Sequence, residues 1–270
     1  METGEIHRDF ILYTPYYISP HAERNEENLY CLQKNLDNPL IKKVVLINEE
    51  KQLPFEHHKL TQIPGKARPD FSEIFAEIGN HKQDGAILIL ANSDIYFDES
   101  LEKAKNIKKG EIYALTRWDL QTDGTKKFFL KYHSQDAWIF NEDIEKSIGA
   151  FPMGQPGCDN RLVYEFKRCG YEVKNPSFSI HITHVHASGF RPYLNESQVK
   201  YVQGEYAYLM PEFIGKVQKE YARDYYYLNW EYNWYFVLNK HYRLKYGVWK
   251  RFISIFSTMF YFLMFQLNKR

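Results

Sequence analysis

The stretch "LILANSDIYF", Leu88–Phe97, decides how the rest of the chain is read. Its apolar half has strand composition. It closes, however, on an amide, a hydroxyl and a carboxylate, Asn92, Ser93 and Asp94, rather than on the Gly or Pro that usually ends a strand. Polar side chains in that place either turn outward into water or serve something that needs them. Phe10–Tyr13 is a first strand that stops at Thr14-Pro15, Val44–Ile47 a second, Leu60–Ile63 a weaker third and Ala86–Leu90 a fourth; Tyr113–Thr116 and Ala137–Phe140 follow. Between them lie helical patterns at Glu23–Leu36, with Leu29, Leu32 and Leu36 three and four apart, at Asp70–Ile78 opened by Pro69, and at Glu99–Ile107. Strands alternating with helices, several of them continuously apolar, predict an α/β fold with a mostly parallel sheet covered on both faces. In open sheets of that kind ligands gather beyond the carboxyl ends of the strands, the place that Asn92, Ser93 and Asp94 would occupy.

The bulk composition bounds the answer. The chain has 270 residues, enough for one main α/β domain with an extension. Its 35 Lys and Arg against 34 Asp and Glu leave a net charge of +1, without the basic excess on which nucleic-acid binding rests. Three cysteines, Cys31, Cys158 and Cys169, are odd in number and form no C-x-x-C pair, which argues against a disulfide framework and against a thiolate zinc site. A reducing compartment is expected. Met1–Asp9 is polar and charged, so no secretory or transit leader is expected, and the sequon at Asn195 would then meet no glycosylation machinery.

A carboxylate at the end of a buried strand, one residue after a hydroxyl and two after an amide, is a place to hold a hard divalent cation through oxygen ligands, and such a cation would neutralise a diphosphate. The competing role for Asp94 and Asp98 is to begin the next connection and cap the helix that follows. In "SIHITHVHASGFRPY" (Ser179–Tyr193) strand alternation puts His184 and His186 on one face and His181 on the other. A structural, hydrogen-bonded histidine is the competing role there. Arg191, just beyond, carries a guanidinium fork that matches phosphate oxygens. Arg68 precedes the helix opened by Pro69, where a cation and free backbone N–H groups could receive phosphate.

Further along, "SQDAWIFNEDIEKSIGAF" and "FPMGQPGCDNRLVYEFKRCGYEV" give a strand, a short helix over Glu142–Ile148, a Pro/Gly-rich loop, Asp159 at the start of a helix running Leu162–Arg168, and Gly170 at its close. This order of parts resembles the acceptor half of the GT-A fold glycosyltransferases. "LANSDIYF" is similar to the DxD strand of that fold and "FILYTPYYI" to its first strand. The resemblance covers Phe10–Tyr193 and is closest in kind to family 2-like enzymes of bacterial surface polysaccharide assembly. It implies a sugar moved from a nucleotide-sugar donor, a UDP-sugar first of all, to a hydroxyl of a glycan or lipid-linked glycan, with a divalent cation, Mn2+ or Mg2+, as cofactor. Donor contacts fall to Thr14, Arg68, Asn92, Ser93, Asp94 and Arg191, and metal ligation to Asp94, His186 and His184. Asn92 departs from the family pattern, standing where its first Asp would be. An acceptor hydroxyl is a poor nucleophile, so an inverting transferase needs a carboxylate to take its proton; Asp159 is the candidate base, with a helix N-cap as its other role. Asp136 is the alternative carboxylate. Arg117, Asp136, Trp118 and Trp138 make up the acceptor side, the two rings as faces on which a sugar stacks, with packing in the core as their competing role.

Tyr 22, Phe 19 and Trp 5 make the chain aromatic, and many of these residues crowd the last quarter. Phe252–Leu267 is 16 residues of nearly unbroken apolar character between Lys250-Arg251 and Lys269-Arg270, short of the roughly 20 that span a bilayer. Its polar stripe and basic flanks predict a helix lying in a membrane interface, or else one packed on the domain or in a dimer. The expected organisation is a catalytic domain over 1–215 and a helical, membrane-associating segment over 216–270, peripheral on the cytoplasmic face of a membrane. Two other functions compete. A nucleotidyltransferase would share the sheet and the metal, but "TPYYISPHAER" lacks the glycines of its phosphate loop. A non-catalytic membrane-associated binding protein would keep only the fold.

Overall fold

A computed structural model describes residues 8–49, 52–54, 56–185, 200–238 and 255–256. In chain order it contains β1 (Phe10–Tyr16), α1 (Ala22–Asp37), β2 (Ile41–Asn48), β3 (Leu60–Pro64), α2 (Phe71–His81), β4 (Ile87–Ala91) and β5 (Ile95–Phe97). A 3₁₀ helix (Glu99–Asn106) follows, then β6 (Glu111–Leu115), β7 (Trp118–Leu120), β8 (Lys126–Phe128), β9 (Ala137–Phe140), α3 (Cys158–Arg168), β10 (Glu172–Lys174), β11 (Ile182–His184) and α4 (Ala222–Leu238).

Seven strands form the main sheet in the order β10-β6-β9-β4-β1-β2-β3. β1 pairs in parallel with β2 and β4, β2 with β3, and β6 with β10; β9 alone runs against its neighbours β4 and β6. Successive side chains of a strand point to opposite faces, and here both faces are covered. Ile11, Tyr13, Leu88 and Leu90 face a layer formed by α2 and α3, while Phe10, Leu12, Ile87 and Ile89 face α1. The chain therefore adopts the expected class, a mostly parallel sheet between helices.

The helices form where apolar spacing and end groups agree. α2 buries Phe71, Ile74, Phe75 and Ile78, one stripe at helical spacing, and its first turn is closed by a capping box between Asp70 and Glu73. Pro69 is thus one residue outside the cap rather than the first helical residue. α3 buries Leu162, Val163 and Phe166 on the same layer. The two helices meet through a tight loop at Gly149, whose φ of +88° suits glycine; a Cβ there would stand 2.5 Å from the Cβ of Phe71. The Gly149 N–H is taken by Glu165 Oε2 at 2.7 Å, so the loop into α3 is tied at both ends.

Three local expectations change. Residues 142–148 are turns, not a helix. Glu142 accepts the Gly110 N–H at 2.5 Å and the Glu145 N–H goes to the Tyr171 hydroxyl at 3.2 Å, side-chain bonds that replace a helical ladder. The stretch after Asp98 is a 3₁₀ helix. Leu29 is 40% exposed, because α1 turns a different face inward, with Glu27, Asn28, Cys31, Leu32, Asn35 and Leu36 buried.

A second sheet, β5-β11-β7-β8, stands beyond the carboxyl end of β4. Its strands are three residues each, too short to show a period in sequence. Trp118, Phe128 and Phe178 form its core, and α4 lies on it through Leu228 and Tyr225, with Tyr221 just before the helix. Among the described residues no helix is long and apolar enough to cross a membrane. Phe252–Leu267 lies outside the described residues apart from Ile255 and Phe256.

Candidate active site

The site is built by α1. Along one stripe of that helix Arg24, Asn28 and Asn35 reach the stretch that follows β4, and Asn38, just past the helix, extends the row. The Ser93 hydroxyl donates to Asn28 Oδ1 at 3.2 Å. Asn35 donates to the Ile95 carbonyl at 2.9 Å and accepts the Phe97 N–H at 3.1 Å, matching a strand edge as a backbone would. Asn38 donates to the Phe97 carbonyl at 3.0 Å. Buried amides that find such partners are stable, and these hold residues 93–97 in one course.

Asp94, 6% exposed, is thereby fixed at the carboxyl edge of the main sheet. Arg24 Nη2 donates to its Oδ2 at 2.6 Å, and His184 Nε2 stands 3.1 Å from the same oxygen. Asp98, not Asp94, performs the capping, accepting the Ser100 N–H at 3.0 Å. Burial alone would raise the Asp94 carboxyl, but the His184 and Arg24 charges outweigh it and hold Asp94 well below the usual carboxylate range. Burial would likewise lower His184; Asp94 and Asp119 reverse that and raise it to about 9.

From His184 the charges continue in an unbroken row. His184 Nδ1 meets Asp119 Oδ1 at 2.9 Å, and Arg117 Nε donates to that oxygen at 2.9 Å. Arg117 Nη1 also donates to Asp136, at 3.2 and 3.3 Å from its two oxygens, and the guanidinium lies over the Phe129 ring at 4.1 Å. Asn92 Nδ2 donates to Asp136 Oδ1 at 3.2 Å. Strand pairing makes this possible: Ala91 faces Ala137 and Leu115 faces Ala137 from the other side, so residues 92, 116–117 and 136 emerge together.

Asp159 closes the row from the helical layer. It is the second residue of α3, behind Gly157 at the N-cap, so it does not cap the helix. Its Oδ2 accepts the Gln135 N–H at 3.1 Å, and its Oδ1 accepts the Asn160 N–H at 2.9 Å. No basic side chain pairs with it among the described residues. Burial pushes its carboxyl up, and although the two N–H groups pull it down, it comes to about 7.

The structure thus gathers Asn92, Ser93, Asp94, Arg117, Asp136, Asp159 and His184, all anticipated in the sequence. Arg24 and Asp119 were missed; Arg24 sat on a helix face that looked solvated, and Asp119 followed a tryptophan in a strand of three residues. Thr14 is buried beside them on β1 at the carboxyl edge, its hydroxyl 3.5 Å from a carbonyl. Four expectations are corrected. Trp138 is 1% exposed in the core, edge-on to Phe71 at 5.3 Å, so no sugar can stack on it. Trp118 is enclosed by Phe128, Phe178 and Tyr221, with its Nε1 donating to the Ser177 carbonyl. Asp136 has its oxygens occupied by Arg117 and Asn92, which leaves Asp159 as the unpaired carboxylate. At Arg68, exposed on the loop before α2, the first N–H groups of the helix are taken: Phe71 N–H by the Phe151 carbonyl and Ser72 N–H by that of Gly149. His186 and Arg191 lie outside the described residues.

A divalent cation fits part of this donor set. Asp94 Oδ1 is buried, anionic and without a hydrogen-bond partner, while Arg24 engages Oδ2. His184 Nε2, 3.1 Å from Asp94 Oδ2, is engaged by the oxygen that Arg24 also holds, so Asp94 Oδ1 is the donor left for an ion. No group of three or more ligating side chains occurs among the described residues, so further positions on the ion would fall to water and to phosphate oxygens.

No protein-family model and no curated protein matches the chain. Three solved structures are similar to parts of it. GalNAc-T7 with UDP, GalNAc and Mn2+ matches at 8% identity over 67% of this chain and 44% of its own, so the chain spans less than half of that protein, at a TM-score of 0.47. The mannosyltransferase PcManGT of Pyrobaculum calidifontis, in complex with GDP-Man and Mn2+, matches at 11% identity over 92% of this chain and 73% of its own, TM-score 0.45. TarS of S. aureus, in complex with UDP-GlcNAc, matches at 10% identity over 93% and 71%, TM-score 0.41. Likeness at this level decides nothing about the chemistry of this chain, which has to come from the site itself.

Proposed function

We propose that the protein is a GT-A type glycosyltransferase that moves a sugar from a nucleotide-sugar donor, a UDP-sugar first of all, to a hydroxyl of a glycan or lipid-linked glycan, with inversion. One observation carries this: two carboxylates at one edge of the sheet are prepared for opposite tasks, Asp94 kept ionised among cations and Asp159 raised to about 7. A leaving diphosphate needs positive charge around it, and an attacking hydroxyl needs a base.

In the reaction the acceptor oxygen bonds to the anomeric carbon as the bond from that carbon to the diphosphate breaks. Asp159, once ionised, takes the hydroxyl proton; a base tuned near the working pH transfers a proton most effectively. Arg24 supplies fixed positive charge beside the diphosphate end and, with His184, keeps Asp94 ionised, while Arg117 is held between Asp119 and Asp136. Asp94, through its Oδ1, would hold a divalent cation, which when bound takes up charge on the departing phosphate. The row from Asn92 to Asp159 sets the distance between the two ends, and held geometry is itself a large part of catalysis. The catalytic domain is assigned to 1–215. Residues 216–270 would bring it to the cytoplasmic face of a membrane, where α4 exposes Tyr227 and Trp230.

The test is a panel of UDP-, GDP-, CMP- and dTDP-sugars with and without Mn2+, read as a rise in melting temperature and as slow hydrolysis of the donor. One nucleotide series should stabilise the protein and be hydrolysed. Stabilisation by none of them, in either condition, would remove the proposal.

A further inference from the structure

We infer that the end of the chain binds the protein to anionic lipid: the cations of residues 240–270 meet phosphate headgroups, and Tyr227 and Trp230 of α4 enter the same surface. This rests on the proposed function and deepens its membrane-associating segment, naming the lipid chemistry and the face that meets it.

Charge is segregated along the chain. Residues 1–231 hold 28 Lys and Arg against 34 Asp and Glu, whereas residues 232–270 hold 7 Lys and Arg and no acidic residue. The overall charge of +1 thus conceals an acidic body and a basic tail. Lys240, Arg243, Lys245, Lys250 and Arg251 lead directly into Phe252–Leu267, which carries no charge, and Lys269-Arg270 closes it. A nucleic acid would use the cations but has no use for the apolar stretch between them; a bilayer surface uses both. Phe256, one of the two described residues of that stretch, is 67% exposed.

The described surface points the same way. Arg223, Tyr227 and Trp230 are four and three residues apart along α4, so they share a face, and all three are exposed. Arg223 Nε rests on Asp224 at 3.2 Å, yet 68% of its side chain is open to water. Tyr and Trp favour the headgroup region, where an amphipathic ring is half in apolar surroundings and half wet. Another side of α4 is against the fold: Tyr232 and Tyr235 pack on Tyr132, with ring centroids 5.2 and 5.9 Å apart. The loop that begins at Tyr132 carries the Gln135 N–H that Asp159 accepts. The face turned to lipid is therefore one helix and one layer of rings from the loop that holds the candidate base.

The experiment sediments the full chain with phosphatidylcholine vesicles, with and without phosphatidylglycerol, in about 0.1 M and about 1 M salt, where charges are screened beyond roughly 10 and 3 Å. The protein should bind anionic vesicles in low salt, leave them in high salt, and bind neutral vesicles about tenfold more weakly or worse. A cation near such a surface contributes about fivefold in affinity, so Lys240→Gln, Arg243→Gln and Lys245→Gln together should weaken anionic binding roughly 100-fold. Lys240→Arg with Lys245→Arg should retain it, since charge is what is read. Trp230→Ser, at an exposed position, should weaken it less, and it carries the test should the triple variant fail to fold. Equal binding to both kinds of vesicle, or binding unmoved by both variants, would overturn the inference and leave membrane attachment standing. Binding to neither, or a preference for a short RNA, would overturn the inference and the membrane part of the proposed function together. The transferase reading is tested apart from all of these, by the rise in melting temperature with donor.

Discussion

Asp94 and Asp159 stand at the same edge of one sheet, and their surroundings push them in opposite directions. Asp94 is approached by a guanidinium at 2.6 Å and an imidazole at 3.1 Å, and its carboxyl is held well below the ordinary range. Among the described residues Asp159 is reached by the Gln135 N–H and by the N–H and side-chain amide of Asn160, and burial lifts it to about 7. Asp94 is buried and Asp159 half-buried, and only Asp94 has a counter-charge beside it among the described residues. Two carboxylates tuned apart in this manner divide their labour, one remaining an anion and the other exchanging a proton.

The contrast can be broken from either end, and the largest effect is expected at Asp94. Asp94→Ala removes the carboxylate that Arg24 and His184 share. Loss of a buried counter-charge of this kind costs about 3 kcal/mol or more, so the urea midpoint should fall and donor binding should vanish with it. An unchanged midpoint would mean that the cations do not depend on Asp94. Asp159→Asn should leave donor-induced thermal stabilisation intact while lowering transfer by about 10²–10⁴, the range of a general base. Transfer that survives this change would move the base elsewhere.

The pH profile sharpens the comparison. Transfer should rise about tenfold per pH unit below about 7 and level above it, as Asp159 loses its proton, and Asp159→Asn should abolish that limb. Stability runs the other way. The folded value of Asp159, about 7, lies above the roughly 3.9 of an unfolded chain, so its contribution is complete below about pH 4 and is lost as the pH rises through 7. At pH 8 Asp159→Asn should therefore be more stable than wild type, by on the order of 2 kcal/mol in chemical denaturation. A smaller control lies far from the charges: Asp70→Ala removes one half of the α2 capping box and should cost about 1 kcal/mol without altering the pH limb.

The main sheet was legible because its strands are continuously apolar and lie between helices with clear spacing. Asp94 and Asp159 were legible for a related reason, since a carboxylate at the end of an apolar run or the head of a helix stands out. The partners were not. Arg24 is 70 residues from Asp94 and Asp119 is 65 from His184, and nothing local signals such pairs. The polar stripe of α1 has the spacing of a solvated face, and only the second sheet behind it makes that face an interior one. The tryptophans misled because a ring that can stack on a sugar buries well for the same reason: it is large, flat and apolar.

Asn35 and Asn38 have an effect beyond the charges they help to place. β5 is the outermost strand of its sheet, and an outermost strand offers bare donors and acceptors to any other extended chain. The two amides occupy those positions at Ile95 and Phe97, so the border is sealed by side chains from a helix and is closed to recruitment of a foreign strand. Protection from self-association and upkeep of the reactive edge are therefore assigned to the same few residues of α1 and its C-cap.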